Sequence, residues 1–200
     1  MSRLALVSLA VLACSKPSSD PGAPPADKPH DAGAAAAPAT TSLALVQRWS
    51  PAHLHIAADH VRVVAATIGD AHQIGGVELF GVSDSQPPPE DDDGSKLVGV
   101  VGGAAGKVVE GDELLRAVSA GKPDPKVLAA VALQVAGRDG DVLDAATTPE
   151  QRKAKVARPA IADQTFSFWV WTHEVPRSLE HATLDLATGK LTLVPPAMPR

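Results

Sequence analysis

The residues able to do chemistry are few, and one is alone of its kind. Cys14 is the only cysteine in 200 residues, so it has no internal partner for a disulfide. His53 and His55 stand two apart, the spacing that puts both side chains on one face of a strand, and His60 and His72 are not far along. Imidazoles so placed can hold a transition metal. Yet no HExxH spacing occurs, and His173-Glu174 is not followed by a histidine where a zinc helix requires one. No metal is assigned, and His53 and His55 are expected as polar positions on the outer face of a hairpin.

Other constellations fall short of their chemistry in the same way. Glu90-Asp91-Asp92-Asp93-Gly94 crowds four carboxylates into one loop, but a calcium loop spaces its acids one residue apart and adds a distant bidentate Glu. A solvated connector is the expectation. Gly102-Gly103-Ala104-Ala105-Gly106-Lys107 lacks the spacing of a phosphate cradle, and Val108 stands where a Ser or Thr is needed. Asp139-Gly140-Asp141 reads as a turn. There is no GxSxG elbow for a nucleophilic serine. Arg152, Lys153, Lys155 and Arg158 form a basic run on a polar helix, read as a solvated face. Trp169 and Trp171 have two uses open to them: a platform for sugars or a partner protein, or the centre of a small core. Burial in the core is the commoner use and the expectation.

The N-terminus carries the strongest signal. Met1-Ser2-Arg3 is a short cationic start, and Leu4 to Ala13 runs on without a charge. Ten residues are too few to span a bilayer, which takes roughly 20, but they suit a signal peptide. Val11-Leu12-Ala13-Cys14 resembles the lipobox of bacterial lipoproteins, in which a small residue precedes an obligatory cysteine. The resemblance covers only about the first fourteen residues; Leu12 is bulkier than usual and Val11 stands where Leu is commoner. It implies cleavage between Ala13 and Cys14, a diacylglycerol on the Cys14 thiol, and attachment to a membrane through those chains. Ser15, in place of the Asp that retains many such proteins at the inner membrane of enteric bacteria, leans by the same resemblance towards the outer membrane. Lipidation would also remove an unpaired thiol from an oxidising compartment.

These residues need elements to position them. Residues 15–42 contain no Val, Ile, Leu, Met or aromatic side chain, so too little apolar surface is available to offset ordering, and a disordered tether is expected over 14–42. Residues 43–200 are expected as a single domain. Leu43 to Trp49 is of ambiguous type. His53 to Ile56 and Val61 to Ile68 read as a hairpin, with a helix opened by Ser50-Pro51 as the alternative. Val77–Val82 and Leu97–Val101 are expected strands. Three helices are expected after them: one capped by Asp112 and ended by Gly121, one opened by Asp124-Pro125 and closed by Gly137, and one from Thr148-Pro149 to Ala157. The chain returns to strand at Phe166–Trp171, expected to be covered on both faces, and closes with a hairpin around Ala187-Thr188-Gly189-Lys190. The class is therefore α+β, a mainly antiparallel sheet with about three helices between N-terminal and C-terminal strands.

Composition narrows the function. There is no Tyr and only three Phe and three Trp, so the core must be aliphatic. A net charge of −5 with scattered cations argues against a nucleic-acid partner. With no catalytic constellation and no cofactor motif, the expected role is a non-catalytic binding or scaffolding module of the cell envelope, its partner an envelope protein or a glycan. The alternatives are an envelope hydrolase without a local motif and a small-ligand or metal carrier.

Overall fold

The computed structural model describes residues 41–86, 95–174 and 176–196. Ala13, Cys14, the tether as far as residue 40 and the acidic loop Glu90–Gly94 lie outside the described residues.

The first element corrects the expected hairpin. Helix α1 spans Ser42–Leu54, capped by Thr41, whose hydroxyl accepts from the Ala44 amide at 3.2 Å. His53 and Leu54 therefore end a helix instead of starting a strand, and His55 closes it at φ 57°. Pro51 lies inside the last turn and does not open a helix. Proline removes one amide from the ladder; nearby, the buried Ser50 hydroxyl donates to the Val46 carbonyl at 2.8 Å. What holds α1 is packing, since Val46 lies in a cluster with Phe80, Val82, Val98 and Val100.

Those four residues belong to the first sheet. Its strands are β1 (Val61–Ala65), β2 (Gln73–Ile74), β3 (Val77–Asp84), β4 (Lys96–Val101) and β5 (Lys107–Glu110), ordered β1-β3-β4-β5 with β2 beside the start of β3, all antiparallel. β3 and β4 match the expected strands, whereas β1 stops three residues short of the expected run. The period of two divides the sheet cleanly: Phe80, Val82, Val98 and Val100 face α1, while Val77, Leu79 and Val109 face the other way, into the main core.

That core continues through α2 (Gly111–Ala120) and α3 (Pro125–Val135), which bury Leu114, Leu115 and Val118, and Leu128, Ala129, Val131, Ala132 and Leu133. Asp112 lies inside the first turn of α2, not at its cap; Glu110 holds the N-cap without a side-chain bond. The acids there still suit the positive end of the helix. α3 follows its sequence signals, with the Asp124 carboxylate accepting from the Lys126 amide and Gly137 left-handed after the end.

The second sheet completes the core. β6 (Gly140–Leu143), β7 (Ala160–Ala162), β8 (Thr165–Thr172), β9 (Leu179–Asp185) and β10 (Leu191–Val194) are antiparallel in the order β10-β9-β8-β6, with β7 also on β8. Asp139-Gly140-Asp141 thus enters a strand and is not a free turn. Between β6 and β7 lies α4 (Pro149–Lys153), shorter than the sequence suggested and held by a capping box of Thr148 and Gln151. With four α-helices and two five-stranded antiparallel sheets among the described residues, the protein is α+β.

Candidate functional site

Strand β8 decides where the aromatic residues go. Its pattern is strictly alternating: Phe166, Phe168, Val170 and Thr172 are buried, whereas Ser167, Trp169 and Trp171 are only half-buried. The two Phe rings stack at 5.3 Å inside the core, where burying such a side chain contributes about 1.5–3 kcal/mol. Directly paired residues of antiparallel strands share a face. The register therefore lays two rows across the outer face, Val194, His181, Trp169 and Leu143 in one, and Leu179, Trp171 and Asp141 in the other. Trp169 and Trp171 do not sit in the core as expected, and the strand is not covered equally on both faces. All three Phe are buried and all three Trp are not.

Val194, His181 and Trp169 of the first row line a cleft of about 440 Å³, within the range of about 300–1,000 Å³ usual for small-ligand sites. Trp169 and His181 sit 4.6 Å apart with rings tilted by 40°. Val194, Pro195 and Pro196 form one side, and Lys153, Ala154 and Lys155, at the end of α4, form the other. α4 is fixed in place from below. The buried Gln151 side-chain oxygen accepts from the amides of Thr147 and Thr148 and from the Thr147 hydroxyl, and Val156 is buried just beyond it.

Val156 donates to the Gln151 carbonyl and Lys155 to that of Arg152, the paired bonds of a Schellman turn. α3 ends in the same way, through Arg138 to Leu133 and Gly137 to Gln134, with glycine in the left-handed position. In α4 that position is Lys155, at φ 61°. A side chain there costs about 1 kcal/mol relative to glycine. The basic run is solvated as its sequence suggests, Arg152, Lys153, Lys155 and Arg158 all being exposed, and Lys153 and Lys155 also line the cleft; Arg152 donates to the Thr147 carbonyl at 3.0 Å.

A polar cluster stands beside Trp171 at the end of β8. His173 meets Asp141 through Nε2 at 3.0 Å and Asp139 through Nδ1 at 3.3 Å. Arg138 pairs with Glu174 and lies 3.8 Å from Glu180. One oxygen of Glu180 accepts from the Ser178 hydroxyl at 3.1 Å; the other is buried without a hydrogen-bond partner among the described residues. With both ring nitrogens engaged by carboxylates, His173 has none left to take a proton from a hydroxyl. Chemically the cluster is a clamp between the start of β6 and the end of β8.

Two histidines give the domain opposing pH responses. The carboxylates of Asp141 and Asp139 raise His173 above its ordinary pKa of 6.5, so its contribution is full below 6.5 and lost as pH rises through the folded value. Burial lowers His181 below 6.5; its contribution is full above 6.5 and lost as pH falls through its folded value. Urea midpoints measured between about pH 5 and 8 are expected to fall away on either side of 6.5. His173→Gln should flatten the alkaline limb and His181→Gln the acid one. An alkaline limb unchanged in His173→Gln would refute the clamp.

The remaining sequence candidates do not converge. His53 stacks on Trp49 at 4.4 Å, with Nδ1 2.8 Å from the Trp49 carbonyl. His55 follows α1, and His60 lies 3.6 Å from Asp84. Among the described residues no three potential ligands gather as a metal site. The glycine run 102–106 is the tight connection from β4 to β5, and Lys107 pairs with Glu113 of α2.

Sequence reasoning missed His181 and the role of Lys153 and Lys155. The basic run was the available signal for the lysines; only strand register shows that it meets an aromatic row. No protein-family model, curated protein or solved structure matches the chain.

Proposed function

We propose that this protein is a cell-envelope lipoprotein, held at a membrane, with the outer membrane favoured, through acyl chains on Cys14, and that its folded domain is a non-catalytic binding module working through the outer face of the C-terminal sheet. Val11-Leu12-Ala13-Cys14 supports the anchor. One observation carries the binding role: a chain with only six aromatic side chains of the Phe and Trp type buries its three Phe and leaves Trp169 and Trp171 half-buried on an outer face. Large amphipathic rings kept at a surface are the side chains that dominate binding interfaces. The fully engaged His173 supports binding over catalysis.

The test is site-specific photo-crosslinking of the anchored protein in its native membrane. A benzophenone amino acid at position 169 or 171 is expected to give a discrete adduct with an envelope component, and the same group at Arg62, exposed on β1, none. Equal labelling at the two faces, or no adduct from either tryptophan position, counts against the binding face.

A further inference from the structure

The cleft over Trp169 has a chemistry of its own. Its floor is an indole paired with an imidazole, and its rim carries two cations, Lys153 and Lys155. Neither lysine takes part in a salt bridge among the described residues, although Lys107, Lys126 and Arg138 all do. Among the described residues no carboxylate lines the cleft. In a chain whose net charge is −5, two exposed lysines without a salt bridge among the described residues, lining a cleft with an aromatic floor, are a local reversal of sign. Lysines so placed attract carboxylate or phosphate.

Lys155 adds a second indication. It takes the left-handed position where α3, with the same turn, has Gly137. Lys122 is also left-handed after α2, so the conformation alone marks nothing. At Lys155 it coincides with a lysine that lines an aromatic cleft and has no salt bridge among the described residues, and there the side chain is what the strain maintains.

The floor selects the shape of the ligand. Trp169 lines the cleft together with the end of α4 and the segment Val194 to Pro196. A half-buried indole in such a recess cannot enter a bilayer as a protruding side chain would. An indole lining such a recess suits a small ring entering from solvent, since the C–H face of a sugar is complementary to an aromatic π-face. We infer that this cleft binds an anionic saccharide, its ring stacked on Trp169 and its carboxylate or phosphate held by Lys153 and Lys155. The inference rests on the binding role proposed above and gives it a ligand class.

Calorimetric titration of the full-length protein in detergent tests it with two matched pairs, trigalacturonate against neutral galactotriose and glucose 1-phosphate against glucose. At least one anionic probe is expected to bind about tenfold or more tighter than its neutral partner, and to weaken as salt is added. The pair that shows the preference identifies carboxylate or phosphate as the charge that is read. Trp169→Ala should abolish binding. Lys153→Gln with Lys155→Gly leaves the core untouched and should erase the preference for the anion, while Lys155→Gly alone raises the thermal midpoint as affinity falls. Equal binding of charged and neutral sugars, or unchanged affinity in the double lysine variant, overturns the inference. If no saccharide binds while crosslinking from position 169 still captures a protein, the ligand class is wrong and the binding face stands. If neither occurs, both fail.

Discussion

A Cys14→Ser variant is expected to move wholly into the soluble fraction, whereas the unaltered protein should require detergent for release. The expectation follows from the size of the anchoring energy. Each methylene buried in a bilayer contributes about 0.8 kcal/mol, so an acyl chain of about fifteen methylenes supplies on the order of 10 kcal/mol. One such chain holds a protein only marginally once the cost of confinement is met, and two hold it stably. Among the described residues no helix is long and apolar enough to cross a membrane. Serine keeps the size of the residue and removes the sulfur that would carry the diacylglycerol. Val11-Leu12-Ala13 would still suit a general signal peptidase, so export can continue while anchoring fails. Fractionation followed by mass measurement of the mature N-terminus reads both steps. A Cys14→Ser protein that stays in the washed membrane pellet, or an unaltered protein with a free thiol, removes the lipid from the proposal.

Where local chemistry was self-sufficient, the elements could be read before the fold was known. Asp124-Pro125 and Gly137 mark α3 because a cap, a proline and a left-handed glycine act within a few residues of one another. The alternation of Phe166 to Trp171 is equally local, and so is the closing hairpin, where Asp185 accepts from the amides of Ala187 and Thr188. Misreadings arose where a distant partner decided. His53-Leu54-His55-Ile56 alternates like a strand, but Val46 and Ser50, four apart, are buried on one side of α1, and that burial outweighs both the alternation and Pro51. β5, β6 and β7 are only three or four residues long, and exist because β4 and β8 offer them an edge. The period along β8 was legible, yet the period cannot say what lies against each face. That is why Trp169 and Trp171 were expected in the core and why the cleft with Lys153 and Lys155 could not be drawn from sequence.

The second large effect is expected from a single methyl group. Gly121 has φ −77° and ψ −1°, a conformation alanine accepts without strain. On backbone freedom alone Gly121→Ala should stabilise the protein by about 0.4–1 kcal/mol. The neighbour reverses that sign. A Cβ at position 121 would stand 2.1 Å from the Gly75 Cα and 2.6 Å from its carbonyl carbon and oxygen. Gly75 is itself left-handed, at φ 61°, and has no room for a side chain against the Val118 carbonyl. The turn between β2 and β3 therefore presses backbone to backbone on the end of α2. Since no rotamer can relieve a backbone contact, the turn must withdraw, loosening Ile74 and Val77 from the core they share with Val118. The cost should reach about 3 kcal/mol, the upper end of typical overpacking, several times the entropic gain. Gly69→Ala separates the two causes: its φ is 62° with nothing within 4 Å of the added carbon, so it should lose only about 1 kcal/mol, from conformation alone. Urea unfolding of the three proteins decides the matter. If Gly121→Ala matches or exceeds the parent in stability, α2 and the β2–β3 turn are not in contact as described.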